Sequence, residues 1–250
     1  MCTVIFTSAK NKITFASLRD ENPERPLAKS PETYISKNIK FLMPQDPLAG
    51  GTWVGINEFM NVIILLNGGF ENHLKKEIYQ KSRGQIVKEL LLSVTPVIDW
   101  HLLDLSDIEP FTLIVWSKDN LFELVWDGKE KHRKILDSSV SHIWSSSTLY
   151  DDFSKNERAH LFHDWVKKNQ EITNLKLLNF FKSNKDEENG FVINRNEKMK
   201  TLSYSFIELY DSQNASFDYY DLQNFNYSTS KIELVESTID CCFDSSKFTK

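Results

Sequence analysis

Cysteine is scarce in this chain: three in 250 residues, two of them adjacent at Cys241 and Cys242. Such a set makes a poor disulfide framework and predicts a reducing, cytoplasmic compartment. Long apolar runs are missing too. The longest, residues 62–66, has the length of a strand and not the roughly 20 residues that span a bilayer, so no integral membrane segment is expected. There is no excess of basic residues; the net charge is −5, which argues against a nucleic-acid partner. The first ten residues lack a charged n-region, and their apolar stretch is too short for a signal peptide. No phosphate-binding glycine loop, dinucleotide fingerprint or haem-attachment motif occurs. His160 and His163 are spaced to share a helix face, but no further ligand accompanies them. Neither a metal nor a cofactor is expected.

The residues that are present alternate in strand and helix patterns. Residues 2–7 and 12–18 read as a hairpin around Ala9-Lys10-Asn11. Residues 19–51 carry five of the seven prolines and read as an extended polar connection. Two strands follow, the first at residues 52–57 after Gly50-Gly51 and the second at residues 61–66. Residues 82–93 predict a helix capped by Ser82, with Ile86, Val87, Leu90 and Leu91 on one face. Residues 111–117 and 121–126 form a second hairpin. An amphipathic helix over 155–168 turns Leu161, Phe162, Trp165 and Val166 inward. Helix continues over 172–181, and residues 201–209 and 216–222 are a last strand pair. Strands in hairpins separated by helices predict an α+β fold with antiparallel sheets. Residues 1–223 read as one domain and residues 224–250 as a polar C-terminal tail. Nothing in the sequence signals an oligomeric state.

Cys2 follows Met1 directly. Removal of Met1 would leave a residue bearing both a thiol and an α-amine. The thiolate is a nucleophile, and an amine titrating near ~7.7–8.0 can take the thiol proton at neutral pH.

The segments Met1-Cys2, Leu18-Arg19-Asp20-Glu21 with Arg25-Pro26, residues 50–57 (Gly-Gly-Thr-Trp-Val-Gly-Ile-Asn), Leu65-Leu66-Asn67-Gly68, Lys81-Ser82-Arg83-Gly84 and residues 142–150 taken together resemble the NRDE family, which includes the transport and Golgi organization protein 2 homologues. Their order and spacing carry the likeness, which is densest over residues 1–95. The resemblance implies a four-layer α-β-β-α sandwich of the N-terminal nucleophile (Ntn) hydrolase type, related to cholylglycine hydrolase and penicillin V acylase.

It also implies roles for particular residues. Cys2 would be nucleophile and, through its own amine, base. Asp20 would hold the α-ammonium, and Asn67 would donate to the oxyanion. Arg19 reads equally as a site residue, either a charge partner that favours the thiolate or a contact to an acidic substrate, and as a surface arginine or an ion pair with Glu21 or Glu24. Asn57, before a hairpin turn, is expected to be structural. Leu18, Ser146 and Lys200 depart from the family pattern at positions where relatives carry Asn, Asn and Arg. Ser146 and Lys200 keep hydrogen-bonding and charge capacity for substrate binding, with Arg195 as a rival to Lys200. The implied activity is cleavage of a non-peptide amide C–N bond through a thioester, on a small-molecule amide. The same departures, with six Trp and 17 Phe, leave open a non-catalytic protein that binds or traffics haem or another apolar lipid or acyl ligand.

Overall fold

The computed structural model describes residues 3–9, 12–169, 171–210 and 213–235. In chain order the strands begin with β1 (Thr3–Ala9), β2 (Lys12–Glu21), β3 (Lys29–Ser36), β4 (Ile39–Gln45), β5 (Val54–Asn57) and β6 (Val62–Asn67). Helices α1 (Arg83–Leu91) and α2 (Pro96–Leu102) follow, then β7 (Phe111–Ser117), β8 (Asn120–Trp126), β9 (Lys131–Leu136) and β10 (His142–Ser145). The chain continues through α3 (Asp152–Lys168), α4 (Asn174–Ser183), β11 (Asn194–Arg195), β12 (Met199–Leu209), β13 (Asn214–Asp221) and β14 (Asn226–Glu233).

Two seven-stranded antiparallel sheets result. One runs β10-β1-β2-β12-β13-β14, with β11 paired to β12; the other runs β3 to β9 in sequence order. Side chains on the strands of the first sheet alternate between two cores, as a period of two requires. Val4, Phe6, Phe15 and Ile207 face the second sheet, whereas Ile5, Ala16, Leu18 and Phe206 face α3 and α4. Phe6 packs 5.2 Å from Phe15 and crosses to Trp116 on β7 at 6.1 Å, which joins the sheets. On the outside, α1 buries Ile86, Val87, Leu90 and Leu91 against the second sheet. Four layers, α-β-β-α, are the outcome.

Local chemistry accounts for the elements read correctly. The Ser82 hydroxyl caps α1 by accepting from the Gln85 N–H at 3.3 Å, a contact worth ~1 kcal/mol. Asn57 is structural as expected: its amide donates to the carbonyls of Leu91 at 3.0 Å and Ser93 at 2.8 Å, tying off the end of α1. The stretch 19–51 is not a connection, however. It contains the hairpin β3–β4, closed by Lys37 and Asn38 at φ 51° and 59°, the two-residue left-handed turn that suits strand twist. The stretch read as a polar tail contains β14, paired with β13 over its whole length. In α3 the inward face is shifted: Leu161 is 48% exposed, while Arg158, at 2%, is buried beside Phe162.

Two of the glycine motifs touch. A Cβ on Gly51 would lie 2.4 Å from the carbonyl carbon of Gly84, and one on Gly84 would lie 2.8 Å from the Thr52 oxygen. The Thr52 N–H donates to the Gly84 oxygen at 3.1 Å. Backbone therefore packs on backbone where the loop before β5 meets the start of α1. We expect Gly51→Ala to destabilise by about 1–3 kcal/mol, the usual penalty of overpacking, read as a lowered denaturation midpoint in urea. An unchanged midpoint would show that the contact can yield.

Candidate active site

The end of β2 places two neighbouring charges on opposite faces of the first sheet. Arg19 lies on the face toward the second sheet, and Asp20 on the face toward α3 and α4. The pairing of β2 with β12 is irregular here, shifting register between Thr201 and Ser203. This is the kind of bulge that re-aims side chains.

Asp20 is buried. Its Oδ1 accepts from the Thr201 hydroxyl at 2.6 Å, and the Tyr150 hydroxyl lies 3.5 Å from Oδ2. Thr201 in turn accepts from the Ile193 N–H at 3.0 Å, so its proton is directed at the carboxylate. Burial, and then the Asp20 charge, push the Tyr204 phenol well above its ordinary range.

Tyr150 has two guanidinium groups near its ring. Arg158 lies 4.2 Å and Arg195 5.2 Å from its ring centre. Arg158 donates to Ser145 Oγ at 3.0 Å and to the Asn189 carbonyl at 2.9 Å, and it reaches the Gly190 carbonyl and Thr3 Oγ1. It also stacks on Phe191 at 4.4 Å. One buried cation thus joins the first residues of β1, the end of β10 and the loop after α4.

On the opposite face Arg19 is 3% exposed and stacks over Trp53 at 4.4 Å. Its Nη2 lies 3.5 Å from Asp46 Oδ2, an oxygen that Arg25 Nε approaches at 2.6 Å. Burial lowers the Arg19 pKa from its ordinary value, opposed by the nearby Glu21 and Asp46 charges. Arg19 is therefore not the surface arginine that one expectation allowed.

Asn67 ends β6, half-buried, with its carbonyl accepting from Ser146 Oγ at 2.8 Å. The chain turns immediately afterwards at Gly68, φ +85°, where a Cβ would lie 2.2 Å from Ser147 Oγ. Arg19, Trp53 and Asn67 line one cleft of about 510 Å³, whose far wall carries Tyr79, Arg83 and Glu109.

The sequence-predicted residues separate as follows. Arg19 and Asn67 share the cleft, and Asp20 is the next residue along β2. Ser146 is buried behind Asn67 as its backbone anchor. Arg195 donates to the carbonyls of Glu188 at 2.8 Å and Leu149 at 3.0 Å, and Lys200 pairs with Glu197. Neither of these two lines the cleft. Leu18 packs into the helix-side core, so its departure from the family pattern does not alter the cleft wall. Cys2, Cys241 and Cys242 lie outside the described residues. Tyr150, Thr201 and Arg158 were not anticipated; Tyr150 closes the 142–150 motif, the only one of the three with a sequence signal. Among the described residues no group of three His, Cys, Asp or Glu is placed to hold a metal, and no helix is long and apolar enough to cross a membrane.

The family model for Transport and Golgi organisation 2 matches residues 1–238. The chain belongs to this family. Among solved structures, a variant of the conjugated bile acid hydrolase from Clostridium perfringens is similar to this Transport and Golgi organisation 2 member with a TM-score of 0.57. The two are 9% identical over 96% of this chain and 100% of the other. An N-acylethanolamine-hydrolyzing acid amidase ortholog from Caenorhabditis elegans has a TM-score of 0.56 at 10% identity, covering 82% of this chain and 92% of that one. At these identities the likeness shows the fold: the family member has the Ntn hydrolase architecture. No curated protein matches it in sequence.

Proposed function

We propose that this member of the family is an Ntn-type amidohydrolase that cleaves a non-peptide amide through a Cys2 thioester. The observation that carries this reading is the buried Asp20, held by Thr201 with Tyr150 close by. Thr3 pairs with Leu18 in an antiparallel ladder. The direction N-terminal to Thr3 is therefore the direction of Arg19 and Asp20 along β2. With Met1 removed, the α-amine of Cys2 takes the thiol proton, and Asp20 holds the resulting ammonium. The thiolate attacks the amide carbon and the carbonyl electrons move to oxygen. Asn67 donates its side-chain N–H to that oxyanion. Collapse breaks the C–N bond as the ammonium returns a proton to the leaving amine, and water then releases the acid from the thioester.

The neighbouring folds are named as hydrolases of conjugated bile acids and of N-acylethanolamines. One solved bile acid hydrolase variant has a cysteine replaced by alanine, and another an arginine replaced by leucine. The hydrolase names support an amide substrate, and the cysteine variant is in keeping with a cysteine-centred site. Intact mass spectrometry with iodoacetamide labelling, run beside a panel of N-acyl amides, tests the proposal. We expect loss of Met1, alkylation at Cys2, and loss of hydrolysis on alkylation. Retention of Met1 in a protein that still hydrolyses amides would overturn it.

A further inference from the structure

Two buried donors in the cleft make no hydrogen bond among the described residues: Arg19 Nη2 and Trp53 Nε1. Both residues are 3% exposed, both line the cleft, and the guanidinium lies over the indole. Buried polar groups are almost always satisfied, and leaving one unmet costs about 1–3 kcal/mol. Two such donors on stacked side chains that line one cleft are unmet groups that an acceptor could satisfy.

The charge around them specifies its kind. Arg19, Arg25, Lys75, Lys81 and Arg83 line the cleft against Glu21, Asp46 and Glu109. Three of those cations are paired, Arg25 with Asp46 at 2.6 Å, Arg83 with Glu109 at 3.1 Å and Lys81 with Glu89 at 2.8 Å, which leaves Arg19 and Lys75 against Glu21. Asp46 stands 3.5 Å from Arg19 Nη2 and makes no hydrogen bond to it. A cationic ligand would meet a surplus of its own sign. A neutral one would leave a buried guanidinium only partly compensated.

We infer that the cleft recognises an anionic oxygen group, a carboxylate or a phosphate, on an amide substrate, an assignment that rests on the amidohydrolase reading for the position of the scissile bond. Arg19 and Trp53, which line the cleft and carry the unmet Nη2 and Nε1 donors, are the two side chains that would meet it. Arg supplies the planar, charge-assisted geometry that such groups accept. Lys75 adds charge at the wall. A volume of about 510 Å³ is in the range of small-molecule sites, so the anion and the amide belong to one compact ligand.

Calorimetric titration of the Cys2→Ala protein, in which no turnover consumes the probe, tests this. Three probes share one acyl chain: N-octanoylglycine (a carboxylate), N-octanoyl-phosphoethanolamine (a phosphate) and N-octanoylethanolamine (neutral). We expect at least one anionic probe to bind about tenfold or more tighter than the neutral one. Which of the two gains the advantage distinguishes carboxylate from phosphate. Trp53→Phe keeps an aromatic face beneath Arg19 but removes the indole N–H together with the five-membered ring; the neutral probe reports the lost ring area, and the variant should erase most of the anionic advantage. Lys75→Ala, on the exposed wall, should reduce the advantage further at low salt. Equal affinity for all three probes would overturn the inference, as would an anionic advantage untouched by Trp53→Phe and by Arg19→Leu. Anion-selective binding by a wild-type protein that hydrolyses no amide would leave this site standing and remove the hydrolase.

Discussion

Alanine in place of Cys2 is expected to lower amide hydrolysis by on the order of 10⁴–10⁶-fold, the range left when a covalent nucleophile is removed and only binding and oxyanion contacts remain. The rate should fall in kcat, because the thiol acts on the bound substrate, while substrate affinity persists. Asp20→Asn is the informative companion. The amide keeps an oxygen that can accept from Thr201, so the fold has a substitute partner, but the negative charge that would hold the α-ammonium is lost. We expect a fall of roughly 10²–10⁴-fold, with the melting temperature as the control for folding. Full hydrolysis by the Cys2→Ala protein would eliminate the mechanism. Full hydrolysis by Asp20→Asn alone would confine Asp20 to a structural role.

The second large effect concerns stability. Arg158→Ala strips donors from Ser145, Asn189, Gly190 and Thr3 at once and leaves a void between Tyr150 and Phe191. Among the described residues its polar partners are carbonyls and hydroxyls; no carboxylate forms an ion pair with it. Breaking such a buried charged network costs about 3–5 kcal/mol. For a chain of this length that corresponds to a fall of roughly 10 °C in Tm. Arg158→Lys should recover less than half of it, since three donors on a flexible stem cannot meet four partners lying around a planar fork. Thermal melts of the two variants decide it. A fall of under ~2 °C for the alanine protein would mean that these contacts contribute little to stability.

What the sequence concealed has one recurring physical cause, although β4, interior and apolar, also escaped, inside the proline-bearing stretch read as a connection. The strands read correctly, such as β6, β7, β8 and β12, are interior and carry apolar runs or clear alternation. All four outermost strands, β3, β9, β10 and β14, escaped. β3 holds Pro31 and is mostly exposed, β9 reads Lys-His-Arg-Lys, and β14 is rich in Ser and Thr. Edge strands are kept polar, charged or proline-bearing because an apolar edge would pair with other chains. The same chemistry makes them look like loops. The candidate site divides in a similar way. Arg19, Asp20 and Asn67 were visible because they stand in ordered motifs, but nothing local announces that Arg19 is buried under the second sheet. Arg158 sits in a helix of mixed polarity, where an arginine near the apolar seam is indistinguishable from one that snorkels to solvent. Only the packing of Tyr150 and Phe191 against it shows that it does not.

The meeting of Gly51 and Gly84 bears on how this cleft can change. Both residues line it, so that part of its wall is bare peptide, contoured by chain path and not by side chains. Point substitution has little purchase on such a surface: any larger residue there collides with main chain before it can present new chemistry to a ligand. Room for substitution lies instead in the irregular segment between β6 and α1, which contributes Lys75, Tyr79 and Lys81 to the lining. The cleft combines a sterically locked patch of wall with a replaceable one.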